Sequence, residues 1–150
     1  GLVFEGPPPR QAAELDAAEE AGDLARLNEL EMQVWVDGPQ RTPDQVDRSV
    51  RELASQMNAI ALANEGIGEE QPLQPAAAGR LNEVHEPTLI IVGDLDAPRT
   101  LAAADRLTAN LPDARKVVIS GAAHLPNMEQ PEAYNRHLRA FLGGEKGAGE

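Results

Sequence analysis

Asp96 and His124 are the two residues of this chain whose types and placement suit shared chemistry. An imidazole moves protons near neutral pH, and a carboxylate beside it fixes its tautomer and stabilises its charged form. Asp96 ends Gly93-Asp94-Leu95-Asp96, which follows the apolar run Leu89 to Val92. His124 ends Gly121-Ala122-Ala123-His124, which follows Val117-Val118-Ile119. Each lies just past the carboxyl end of an expected strand, the edge where open α/β sheets hold and transform ligands. One helix separates the two strands, so the strands are expected to be neighbours about 5 Å apart. Loops leaving the same edge then bring acid to base. The plainer reading is that Asp96 caps the next helix and His124 is a turn residue. Asp94 competes with Asp96 for the role of the acid; Asp94 better suits accepting backbone N–H groups at the turn.

Other chemistry finds less support. His85 precedes the strand and His137 falls inside a helix, so both read as surface or packing residues. No pair of histidines has a metal-ligand spacing, and the acids are scattered over helix faces, so no metal site is expected. The glycines make neither a dinucleotide fingerprint nor a P-loop, and no cofactor is expected. The chain of 150 residues has 13 Lys plus Arg against 25 Asp plus Glu, a formal charge of −12. That balance argues against nucleic acid and against an anionic membrane surface as partners. Cysteine is absent, which removes disulfides and thiolate nucleophiles and fits a reducing cytoplasm.

The elements that position the pair follow from periodicity. Leu89 to Val92 reads as a strand buried on both faces, and Pro98 suits the first turn of a helix running from Arg99 to Asn110. Leu101, Ala104, Leu107 and Leu111 form its inner side. Lys116 to Ser120 is the next strand, and Pro131 to Leu142 a helix with Tyr134, Leu138 and Phe141 inward. Upstream, Gly1 to Gly6 looks like a strand ended by Pro7, Pro8 and Pro9. Gln11 to Val36 is helical with a break at Gly22-Asp23, where Asp23 suits an N-cap. Leu24, Leu27, Leu30, Val34 and Trp35 share one side, and Asp37-Gly38-Pro39 closes the segment. Thr42-Pro43-Asp44-Gln45 reads as a capping box opening a long helix. Its stripe is Val46, Val50, Leu53, Met57, Ile60 and Ala61, and Gly66 stops it. A loop with a short helical turn near 76–81 follows. Strands that alternate with helices in this way demand a parallel sheet with right-handed crossovers, an α/β fold.

Two motifs together, Glu86-Pro87-Thr88-Leu89-Ile90-Ile91-Val92-Gly93-Asp94-Leu95-Asp96 and Gly121-Ala122-Ala123-His124-Leu125-Pro126-Asn127-Met128-Glu129-Gln130-Pro131, resemble the C-terminal part of an α/β-hydrolase. Trp35-Val36-Asp37-Gly38-Pro39 and the Asp47-to-Asn58 helix are similar to the helical cap of enol-lactonase-like and esterase-like members. The resemblance implies a partial α/β-hydrolase fold: residues 1–142 as the C-terminal portion of one domain, with a cap insertion over about 10–80 and the last two strands and helices over about 81–142. Residues 143–150 read as a flexible tail. It also implies that Asp96 is the acid and His124 the base of a catalytic triad. The region of Trp35, Met32 and Met57, with Leu125, reads as an apolar substrate pocket lined by Trp35, Met57 and Leu125; ordinary core is the plainer reading of such residues.

The nucleophile of that family sits in G-x-S-x-G. The three serines here, Ser49, Ser55 and Ser120, lack those glycines. The resemblance therefore implies an N-terminal half, in the same precursor or in an associated chain, that supplies the nucleophile and the oxyanion donors. The expected activity is hydrolysis of an ester, a lactone or a related small acyl substrate, with this chain inactive alone. A ligand-binding or partner-docking module on the same fold, and an inactive truncated fragment, are the alternatives.

Overall fold

The computed structural model describes residues 6–68, 71–72 and 74–144. Two strands, β1 (Thr88–Gly93) and β2 (Ala114–Ile119), pair in parallel through the crossover helix α4 (Pro98–Asn110). Their register, Thr88 opposite Ala114 through Gly93 opposite Ile119, brings both strands to the same carboxyl edge. The expected strand at Gly1 to Gly6 lies, except for Gly6, outside the described residues, as does the tail beyond Gly144. With one neighbour for β1 among the described residues, the run expected to be buried on both faces is only partly covered. Val92 and Gly93 are buried, whereas Leu89, Ile90 and Ile91 are half-buried. β2 starts two residues earlier than periodicity suggests and ends at Ile119, leaving Ser120 in the turn.

Ahead of the sheet come α1 (Ala12–Glu20), α2 (Leu24–Glu31) and α3 (Arg48–Ala63). The break at Gly22 is real: Gly22 takes φ 65°, and the Asp23 carboxylate accepts from the Arg26 N–H at 3.0 Å to start α2. Ala18, Leu27 and Leu30 form one buried cluster of this layer, with Leu15 and Leu62 against it. A second cluster of Met32, Val36, Val46 and Ala54 reaches Leu125, beside the imidazole.

Two local features depart from the sequence-based expectation. Thr42 to Gln45 does not open the long helix. Gln45 Oε1 does accept from the Thr42 N–H at 2.9 Å, but the turn is an isolated 3-10 turn, Pro43–Gln45, because Val46 is extended and buried in the second cluster. Asp47 starts α3 instead, accepting from the N–H groups of Ser49 at 2.8 Å and Val50 at 3.3 Å. Nor does the stripe of α3 face inward along its length. Ala54 is buried, while Leu53, Met57 and Ile60 are 50%, 57% and 66% exposed. Downstream, α5 (Pro126–Glu129) is a single turn and α6 (Pro131–Leu142) closes the described chain. Tyr134, Leu138 and Phe141 of α6 are half-buried. Among the described residues no helix is long and apolar enough to cross a membrane.

Candidate active site

The site begins with the turn after β1. Asp94 accepts from the Gly121 N–H at 2.7 Å and from the Ser120 hydroxyl at 3.0 Å, so it stitches the two turns together. Asp96, 3% exposed, points one Oδ at its neighbour's backbone, accepting from the Ala97 N–H at 2.7 Å. Its other oxygen lies 2.8 Å from His124 Nδ1. The two expected partners therefore meet, and it is Asp96, not Asp94, that contacts the imidazole. A buried carboxylate with both oxygens facing donors favours the tautomer of the neutral ring that carries its proton on Nδ1 and its lone pair on Nε2. The His124 side chain is 43% exposed.

Main-chain contacts fix where the imidazole sits. Leu95 N–H donates to Ala122 O at 3.0 Å, and His124 N–H donates to Trp35 O at 3.2 Å. Gly93 makes the close approach feasible: a Cβ there would lie 2.1 Å from Ala122 O and 2.3 Å from Ala123 O. Gly38 does the same on the other side, where its φ of 74° and a carbonyl 2.5 Å from any added Cβ admit no larger residue.

Trp35 belongs to a feature that periodicity missed. After α2 the chain widens into a π-helical turn, Met32–Asp37, in which Met32, Val34, Val36 and Asp37 are all buried. A single α-helical face does not bury alternate residues so densely; that crowding was the available signal. The Trp35 ring lies 4.7 Å from the His124 ring at 45°, and the Arg99 guanidinium carbon sits 4.9 Å from the indole centroid. Such a cation over an aromatic face stiffens the indole modestly. Trp35, Met57 and Leu125, the expected pocket residues, line one cleft of about 370 Å³ with His124, together with Met32, Asn58 and Met128. Larger hollows, about 560 Å³ along α6 and about 610 Å³ beside Pro43 to Gln56, do not touch the pair.

Charged groups invisible to motif reading brace this arrangement. Asp37, 1% exposed, receives two hydrogen bonds from Arg51 at 2.9 and 3.1 Å, and Arg51 also holds Glu29 at 2.9 Å. The hydrogen bond from Arg51 is the main reason that the Glu29 carboxyl is held below its ordinary range, outweighing the opposing effect of burial. The Asp37 bond is likewise the main reason that Arg51 is pushed well above the usual guanidinium value. Arg41 and Glu129 make a second such pair at 2.7 Å. None of the serines is bonded to His124: Ser49 Oγ donates to Asp47, Ser55 Oγ accepts from Asn28, and Ser120 Oγ donates to Asp94. Among the described residues no group of three or more His, Asp or Glu side chains is placed to hold a metal ion. His85 is exposed and His137 is half-buried in α6, and neither contacts the pair.

Comparison with solved structures agrees with this architecture. A thermophilic esterase from Thermogutta terrifontis superposes with a TM-score of 0.65 at 23% identity, over 95% of this chain and 53% of the esterase. The fold is that of part of an α/β-hydrolase. MenH from S. aureus gives a TM-score of 0.63 at 20% identity over 90% of this chain and 52% of its own. An N-acyl homoserine lactone degrading enzyme gives 0.62 at 22% over 92% and 53%. In sequence, the chain is 28% identical over 103 residues to a Bacillus subtilis (strain 168) protein named, by inference, 2-succinyl-6-hydroxy-2,4-cyclohexadiene-1-carboxylate synthase. That match covers 69% of this chain and 37% of the Bacillus protein. No family model matches the chain. The chain thus spans about half the length of these structures, and less of the curated relative.

Proposed function

We propose that this chain provides the acid and the base of a serine-type hydrolase acting on an ester, a lactone or a related small acyl substrate. The observation that carries the reading is the buried Asp96 carboxylate 2.8 Å from His124 Nδ1, with the imidazole at the mouth of an apolar cleft. In the proposed reaction a serine hydroxyl from outside this chain attacks the acyl carbon. Nε2 of His124 takes its proton and returns it to the departing alcohol oxygen. Water then attacks the acyl-serine with the same proton relay, releasing the acid and restoring the serine. Asp96 accepts from Nδ1–H throughout, orienting the ring and stabilising its charged form. The apolar walls at Trp35, Met57 and Leu125 take up the acyl group and exclude water.

The partner in this reading is an N-terminal half of the same fold, carrying G-x-S-x-G and the oxyanion donors. Support comes from the partly covered β1, from the exposed Leu53, Met57 and Ile60, and from the absence of any serine bonded to His124. The test is to combine the chain with such a half and assay a chromogenic short-chain ester. Turnover that disappears in His124→Ala supports the reading; turnover indifferent to that change removes it.

The serine bonding also favours a second reading, a ligand-binding module in which the same cleft holds an apolar ligand without turnover. Saturable binding in the cleft, with no product formed once the N-terminal half is present, would select it.

A further inference from the structure

We infer that Arg41 and Glu129 are a positioning pair that sets the placement of His124, an inference that rests on the acid–base reading above. Glu129 is in the one-turn helix α5, and its side chain is 5% exposed. One carboxylate oxygen accepts from the Ala123 N–H at 2.7 Å, directly before the imidazole-bearing residue. The other meets Arg41 Nη1 at 2.7 Å. Arg41, 11% exposed, also reaches the π-helical turn: Nε donates to Asp37 O at 2.9 Å and Nη2 to Val36 O at 2.8 Å, while Nη1 donates to Gly121 O at 3.5 Å.

The two side chains therefore join the Ala123–His124 main chain to the turn that carries Trp35. That turn closes the circuit itself, because Trp35 O accepts from the His124 N–H. A guanidinium is suited to this work because its planar fork serves several acceptors at fixed angles, which an ammonium cannot copy. Removing either partner strands a buried charge against backbone dipoles, so the loop must move to relieve it. Neither residue touches the reacting atoms. Their effect on catalysis passes through the imidazole.

Amide hydrogen exchange and the Nδ1–H proton resonance of His124, recorded on the full chain, test the pair without any turnover. Glu129→Ala should speed exchange at Ala123 and His124 by about tenfold or more, the loss of a charge-assisted hydrogen bond. It should also broaden or abolish the Nδ1–H signal while leaving α4 and β1 amides protected. Glu129→Gln keeps an acceptor for Ala123 and should restore most of that protection. Arg41→Lys should mimic the loss in part. Protection at Ala123 and His124 that is unchanged in Glu129→Ala, or lost uniformly across the chain in every variant including Glu129→Gln, overturns the inference. A pair that passes these tests in a protein that cleaves no ester with its N-terminal half would leave the positioning intact and sink the acyl-transfer reading instead.

Discussion

At the scale of single residues, the arrangement hangs on one carboxylate and two glycines. Asp96→Asn keeps the shape but offers an amide where Nδ1–H needs an acceptor, so the ring takes the wrong tautomer. If the chain works with an N-terminal half as proposed, that change should lower kcat by about 10⁴ with little effect on KM, measured with a chromogenic ester. Gly93→Ala forces a methyl group against the Ala122 and Ala123 carbonyls, and backbone cannot yield as a flexible side chain can. It should cost more than about 2 kcal/mol in urea unfolding, and should displace His124 as well.

Elements come next, and here the charges do more than the caps. Arg51→Ala leaves Asp37 buried without its partner, which should cost about 3 kcal/mol or more in urea unfolding. Glu29 sets an acid limit on the same contact. Its carboxyl is held low in the folded chain, so its contribution is fully present above the unfolded glutamate range, roughly pH 4–5, and fades as pH falls through the lowered folded value. Thermal unfolding followed by circular dichroism should show stability falling below that range, with a shallower fall in Glu29→Gln. Legibility divides along the same line. The contact of Asp96 with His124, the Asp23 cap and the β1–α4–β2 unit were readable because each rests on local spacing or on neighbouring elements. The pairing of Asp37 with Arg51, and of Arg41 with Glu129, was not, because any of the 25 acids had an equal claim to an arginine until the chain was folded. The start of α3 was misread for a related reason: Thr42 and Gln45 do make a capping contact, but burial of Val46 overrides its continuation. The π-helical turn escaped because its apolar residues were fitted to a 3.6-residue period.

Across the whole molecule, apolar surface is unevenly covered. The formal charge of −12 favours mutual repulsion between copies, yet Leu53, Met57 and Ile60 stand open on α3. If an N-terminal half is the partner, binding of a hydrophobic dye to this chain should drop when that half is added. A Leu53→Glu/Ile60→Glu variant should bind less dye from the outset; equal dye binding with and without the half would count against the partnership. The hydrogen bond from His124 N–H to Trp35 O has a mechanical consequence of its own. The helical layer is pinned to the sheet at the point where it leaves α2, so it cannot swing away there as one rigid door. If the layer opens for a bulky guest, the movement is expected at the far end, where α3 runs out near Asn64. Spin labels should accordingly report a wandering distance between the end of α3 and α4, and a constant one between the π-helical turn and the loop that bears the imidazole.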